Sequence, residues 1–572
     1  MQMDNDVIIE FRNFSFQYYA QAEPTLHDIN LKIHRGEKIL IAGPSGSGKS
    51  TLGNCINGLI PNAYRGEMKG DLIIDGIQCP ASLFALSQKV GTVLQDSDGQ
   101  FIGLSVGEDI AFALENDRIG QDEMKQRVAK IAASVGLSDL LHHNPHELSG
   151  GQKQRCSMAG VMVDDVDILL FDEPLANLDP LTGRTAIELI NDLCRDGKTV
   201  IIIEHRLEDV LHCPVDRIVL VNDGRIVMDD TPANLLSADV LGKYGIREPL
   251  YLTACRYAGV KITANMHPES LQTMDLTQAK PSLAAWFHQN ASNPSQPERE
   301  PLLNISHISF SYDGIKPILS DVSAVVHKGE MLSIVGKNGA GKSTLSKILT
   351  GFIKPDAGTV TMEGTDLSQY TISERSAFVG IVLQDPNQMI SKTGIFDEVA
   401  LGLRIRGMDE KEVDERVTRV LQICGLSEFK NWPISALSYG QKKRVTIASI
   451  LVLNPKVLIL DEPTAGQDYY HYSEIMEFLK SLNEQGQTII LITHDMHLML
   501  EYTPRAIVLC DGKILADGPS YQILSNRELS EKANLKITSL YELAEKADID
   551  QPQKFVKCFI EYDRRARKEM TR

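Results

Sequence analysis

Gly43-Pro44-Ser45-Gly46-Ser47-Gly48-Lys49-Ser50-Thr51 stands directly after the apolar run Ile39-Leu40-Ile41-Ala42, giving a strand, a tight loop and a helix start in that order. Glycines let successive backbone N–H groups turn toward one point, and the helix N-terminus adds a partial positive charge. In such a stretch Lys49 can reach β- and γ-phosphates and the Ser50 hydroxyl can hold Mg²⁺. A single stretch of this kind is also compatible with a coincidental glycine-rich turn. The chain carries a second one, Gly336-Lys337-Asn338-Gly339-Ala340-Gly341-Lys342-Ser343-Thr344, again after an apolar run, Leu332-Ser333-Ile334-Val335.

Working outward from the two cradles, landmarks recur at a constant separation. Gln95 and Gln384, Ser149 and Ser438, Glu173 and Glu462, and His205 and His494 each lie 289 residues apart, whereas Lys49 and Lys342 lie 293 apart. A four-residue length change between cradle and glutamine belongs in surface loops and leaves a core intact. The pattern is a tandem duplication of one large domain.

The chain is long enough for several full cores. A net charge of −18 argues against a general nucleic-acid binder, because phosphate backbones reward a basic surface. Apolar runs such as Thr488-Ile489-Ile490-Leu491-Ile492-Thr493 are strand-sized and too short to span a bilayer. The acidic start, Met1 to Asp6, lacks the layout of a secretory signal. Nine cysteines without Cys-x-x-Cys spacing speak against zinc and disulfide frameworks and fit a reducing cytoplasm.

In chain order, each copy opens with alternating strand-like residues that include Tyr18 or Tyr312. An aromatic there either stacks on a nucleotide base or simply packs in its strand. Helical inserts follow the glutamines, with Met124, Val128, Ile131 and Val135 on one face in the first copy and Val413, Val417, Val420 and Cys424 in the second; these faces read as core. Ser149-Gly150-Gly151-Gln152 and Ser438-Tyr439-Gly440-Gln441 come next. They either present N–H groups and a hydroxyl to an anion or cap a helix. Apolar runs then end in Asp172-Glu173 and Asp461-Glu462. Ligands of buried parallel sheets gather at strand C-terminal ends, and a metal with a water explains paired acids there better than structure does. Two further buried strands end at Glu204-His205 and at His494. A lone histidine is usually a loop residue, but two at matched positions point to a site.

This reading divides the chain into a first domain over 1–240, a helical extension and linker over 241–300, a second domain over 301–527 and a C-terminal helical extension over 528–572. Asn293 to Pro301, rich in proline and charge, is the linker. Arg564, Arg565, Arg567, Lys568 and Arg572 read as a solvated helix end, with anionic-lipid contact as the minority alternative.

Cradle, glutamine, serine-glycine signature, paired acids and histidine, in this order and twice, resemble the ATP-binding cassette of ABC transporters. The resemblance implies an α/β fold of two tandem P-loop NTPase domains, each a RecA-like core with a helical subdomain and an N-terminal antiparallel β part. It implies ATP and Mg²⁺ as cofactors, with Lys49 and Lys342 on phosphate. Ser50, Ser343, Gln95, Gln384, Asp172 and Asp461 would serve the metal, Glu173 and Glu462 would act as general bases, and His205 and His494 would contact the γ-phosphate. It also implies head-to-tail pairing, in which each signature closes the other cassette's cradle. Gln95 to Phe101, Gln384 to Met389, Glu204-His205-Arg206 and Tyr244 to Pro249 further resemble the energy-coupling-factor (ECF) transporters and related cobalt and nickel importers. That group's ATPases dock on a transmembrane coupling protein joined to a substrate-capturing membrane protein, at the cytoplasmic face of the cell membrane. The rivals are an ABC exporter ATPase and a soluble tandem cassette acting on ribosomes or DNA. Tyr439, where the first signature has Gly150, departs from the pattern and is expected to crowd the closing phosphate.

Overall fold

Strands Lys38–Ala42 and Thr199–Ile203 are buried along their whole length, as continuous apolar runs in a sheet covered on both faces must be. A computed structural model describes residues 6–95, 98–176, 178–291, 299–465 and 467–570. In it these strands sit at the centre of a six-stranded sheet ordered Arg225–Asp230, Arg217–Asn222, Lys38–Ala42, Thr199–Ile203, Ile168–Asp172, Val90–Val93. All neighbours are parallel except the edge hairpin formed by the first two. Register sets Ile41 beside Ile203 and Asp172 beside Ile203. The residues that follow these strands, Gly43, Glu173 and Glu204, therefore emerge on one rim.

A smaller antiparallel sheet, ordered Leu26–His34, Val7–Tyr18, Gly66–Ile74, Ile77–Gln78, shares a core with the first. Phe11, Phe14 and Phe16 pack with Ile39, Leu170 and Val219. The second copy repeats both sheets. Its six strands run Val379–Val382, Val457–Asp461, Thr488–Ile492, Met331–Val335, Arg505–Cys510, Lys513–Pro519, and Asp461 pairs with Ile492 as Asp172 does with Ile203.

The helical inserts form separate small cores. Val128 and Val135 are buried with Ile110 and Cys156, while Met124 and Ile131 pack against that cluster. Val413, Val417 and Cys424 are buried in the second, with Val420 alongside. The chain divides into one unit of Met1–Trp286, Asp468–Tyr470 and Lys546–Asp548 and another of Phe287–Gln467, His471–Glu545 and Ile549–Arg572. Met1 to Asn5, most of the linker (292–298), Asp96 and Ser97 of the first glutamine loop, and Arg572 lie outside the described residues.

One expectation is corrected here. Two of the cations of helix Pro552–Met570, Arg564 and Arg567, are not solvated, whereas Arg565 is exposed. Arg564 Nε donates to the Glu501 carbonyl at 2.7 Å, and Arg567 lies 2.9 Å from Asp563 and 3.4 Å from Glu501. Glu501 and Asp563 are buried, and buried carboxylates are held by cations. Arg565 lies beside Tyr562, its guanidinium 5.8 Å from the ring.

Candidate functional site

Each cradle is a loop that only glycine can close. A Cβ at Gly43 would lie 2.1 Å from the Val221 carbonyl oxygen, and one at Gly336 would lie 1.9 Å from that of Leu509. Both oxygens belong to the neighbouring strand, so the loop is pressed against the sheet. Gly48 and Gly341, at φ 102° and 100°, turn the chain into helices Lys49–Ile56 and Lys342–Thr350, a backbone region that L side chains avoid.

The buried lysines fold back over their own loops. Lys49 Nζ donates to the Gly43 and Pro44 carbonyls at 2.8 and 2.7 Å, and Lys342 Nζ to Gly336 and Lys337 at 2.7 and 3.0 Å. Burial lowers the Lys49 pKa, opposed by Glu173, Asp468, Asp172 and Glu204. The Ser45 N–H of the first cradle donates to the Asp468 carboxylate within the same unit, so the loop already accepts an anion. The tips of both loops are open, since a Cβ at Gly46 or Gly339 would meet nothing within 4 Å. Tyr18 and Tyr312 stand beside their cradles, their hydroxyls 3.1 and 3.4 Å from those of Thr51 and Thr344. Tyr312 is 61% exposed, which leaves its ring accessible to a base.

The acids meet the cradles at the rim. The Ser50 hydroxyl beside Asp172 favours its carboxylate, and Ser343 Oγ lies 3.4 Å from Asp461 Oδ2. Burial pushes both aspartates up to about 6. Asp172 Oδ1 and Ser47 Oγ are buried with no hydrogen-bond partner, a cost that a cation and a phosphate at this place would remove. The residues present therefore fit a Mg²⁺–nucleotide. Glu173 and Glu462 both have left-handed backbone, φ 49° and 44°, and their N–H groups are fixed to Ile203 and Ile492 of the adjacent strand at 2.9 Å. Gln95 Nε2 donates to Glu173 Oε2 at 2.6 Å.

Around these glutamates the copies differ. In the second, His494 Nδ1 lies 2.7 Å from Glu462 Oε1 and the Thr493 hydroxyl donates to Oε2 at 3.3 Å. In the first, Glu204 occupies the place of Thr493. It is 1% exposed and its Oε2 has no partner. Its Oε1 takes the His205 and Arg206 N–H groups and lies 3.2 Å from His205 Nδ1, against 3.9 Å from the ring to Glu173. Burial, then Glu204, then Asp172 hold the Glu173 carboxyl above the usual carboxylate range, while burial holds the His205 imidazole below its ordinary value.

Ser149 and Ser438 form complete capping boxes with Gln152 and Gln441 at the starts of helices Gly150–Met162 and Tyr439–Leu451. The cap reading of these serines and glutamines is what the structure displays. The sequence reading missed two features. Glu204 is visible as an acid closing an apolar run, yet its contact with the histidine is tertiary. Lys443, 1% exposed, donates to the Leu383 and Gln384 carbonyls at 2.8 and 2.6 Å, and burial pushes it down to about 8, opposed by Asp461, Asp385 and Glu462. Tyr439 is also redirected: its hydroxyl donates to the Gln384 carbonyl at 3.3 Å, so its ring lies along its own glutamine loop.

The family described as ABC transporter matches residues 26–176 and 319–465, spanning both cradles and both acid pairs. The chain belongs to the ABC transporter ATP-binding proteins. A second family, described as ATP-binding cassette cobalt transporter, matches 238–310. A putative ABC transporter ATP-binding protein of Clostridium perfringens is 57% identical over 99% of this chain and 100% of its own. One of Photobacterium profundum is 56% identical over 97% and 99%. A solved structure, cbiO1 from Clostridium perfringens, described as part of the ABC transporter complex cbiONQ, is 33% identical with TM-score 0.39, covering 43% of this chain and 99% of its own. The two cassettes thus bind and hydrolyse ATP as a transporter subunit.

Proposed function

We propose that this ATPase energises an importer of the energy-coupling-factor type, taking up a vitamin, a vitamin precursor or a metal ion, through head-to-tail closure of its two cassettes. The observation that carries the reading is the match of residues 238–310 to a cobalt-transporter cassette family, outside the parts shared with ABC transporters generally. Exposed apolar residues beside the first glutamine loop support a protein partner: Ile102 is 63% and Leu104 82% exposed. Among the described residues no helix is long and apolar enough to cross a membrane. The reading therefore requires a separate transmembrane coupling protein and a substrate-capturing protein, with this chain held peripherally on the cytoplasmic face.

Within each cassette, Lys49 or Lys342 leaves its loop carbonyls for the β- and γ-phosphates, and the cradle N–H groups take the remaining charge. Tyr18 and Tyr312 lie against the base. Mg²⁺, held by Ser50, Gln95 and Asp172 or by Ser343, Gln384 and Asp461, neutralises phosphate charge when bound. Glu173 or Glu462 takes a proton from water as its oxygen bonds to the γ-phosphorus and the bond to the β-bridging oxygen breaks, releasing ADP. His205 and His494 orient the γ-phosphate. The Ser149–Gln152 and Ser438–Gln441 signatures close the opposite cradles.

Co-expression with the products of its neighbouring genes tests the assignment. The chain should sediment with membranes, co-purify with two integral proteins in mild detergent and remain in the supernatant when expressed alone. Recovery on ribosomes without any membrane protein would defeat the reading.

A further inference from the structure

The two glutamine loops are fastened in different ways. In the first cassette the loop is stapled to itself: Gln100 Oε1 accepts from the Leu94 N–H at 3.1 Å and its Nε2 donates to the Thr92 carbonyl at 2.9 Å. In the second, the residue at that place is Met389, whose sulfur accepts from Leu383 N–H, and the side-chain donors come from elsewhere. Lys443 and Tyr439, both on the signature helix Tyr439–Leu451, donate three hydrogen bonds to the backbone carbonyls of Leu383 and Gln384. Their spacing of four puts them on one helical face. The corresponding residues of the first cassette are Gly150, with no side chain, and Gln154, whose Nε2 is buried without a partner.

We propose that Lys443 and Tyr439 are positioning residues that latch the second glutamine loop to its own signature helix, so that loop and helix shift as one body in that cassette. An ammonium donating to two carbonyls from a buried position is a strong, directional tie. A movement of the signature helix is thereby delivered to the Gln384 backbone. In the first cassette, Gln100 bonds Leu94 and Thr92, and the described residues show no counterpart of the Lys443 bonds. The consequence for turnover rests on the metal role proposed for Gln384; the latch itself does not.

Hydrogen exchange of the full-length protein reads the latch directly. Lys443→Met keeps the length of the side chain and removes its donors, and exchange at the amides of residues 383–390 should quicken roughly tenfold. The exposed Tyr439→Phe should quicken it about twofold to threefold by the same loss of one weaker bond. Gln154→Lys, which installs the donor in the first cassette, should slow exchange at Leu94 and Gln95. In a Glu173→Gln background that isolates the second site, Lys443→Met should lower kcat while leaving KM for ATP within about twofold, a split that general destabilisation does not produce. Unchanged exchange in folded Lys443→Met or Tyr439→Phe overturns the latch. If Lys443→Met does not fold, an unaltered loop in Gln154→Lys overturns it. Faster exchange with unchanged kcat leaves the latch standing and removes Gln384 from its catalytic role.

Discussion

At the scale of single residues, the acids at the strand ends divide the labour. Glu173→Gln with Glu462→Gln leaves both cradles whole, so ATP should bind with unchanged affinity in equilibrium titration while steady-state turnover falls by about 10²–10⁴. Undiminished turnover would take both glutamates out of the role of base. Glu204 has the opposite character: a carboxyl with a buried, unpartnered oxygen beside two other acids. Glu204→Thr copies the second cassette, where the Thr493 hydroxyl still accepts a backbone N–H, that of Asp495, at 3.0 Å. Relief of the unsatisfied group should stabilise the nucleotide-free protein by about 1–3 kcal/mol. A lower melting temperature in calorimetry would show instead that the two N–H groups, the imidazole and the Arg206 guanidinium, 4.0 Å away, outweigh the unsatisfied oxygen.

At the scale of elements, a signature serine has two separable tasks. Its cap is worth about 1 kcal/mol to its helix, and aspartate caps equally well. Ser149→Asp should therefore keep the melting temperature of the parent while setting a carboxylate against the incoming phosphate, and ATP turnover should drop at least roughly tenfold. Stability lost along with activity would reduce the serine to a cap. The elements themselves were legible because their signals are local. Apolar runs such as Lys38–Ala42 mark strands buried on both faces, four-three-four spacing marks the insert helices, and a repeat of 289 residues doubles each observation. The site was legible as a set of positions but not as a set of contacts. Tyr439 and Lys443 already share a helical face in the sequence, yet nothing local says that the face meets Leu383 and Gln384, 60 residues before Lys443 in the case of Leu383. Arg564 and Arg567 escape the sequence reading for the same reason, since Glu501, which holds both of them, is remote in sequence.

At the scale of the whole molecule, the head-to-tail closure proposed above would assign each signature to the other cassette's cradle. Residues that share a site are non-additive when changed, whereas residues of separate sites compound. Lys49→Ala with Ser438→Arg should trap little less nucleotide than Lys49→Ala alone, because one site bears both changes. Lys49→Ala with Ser149→Arg should abolish trapping at both sites. Photolabelled ATP followed by cleavage in the linker between the units reports each site separately. The reverse pattern would mean that each cassette completes its own site. Linking the cassettes in one chain also makes their encounter intramolecular, so trapping should not depend on protein concentration.

The left-handed backbone at Glu173 and Glu462 bears on how such a protein ages under mutation. A non-glycine residue in that region carries a conformational penalty of about 1 kcal/mol or more that glycine escapes. Glu173→Gly should therefore melt higher than Glu173→Ala, although both lack the same carboxylate and neither should turn over ATP at this site. Laboratory evolution that rewards heat resistance alone would gain by surrendering these two glutamates, at the cost of turnover.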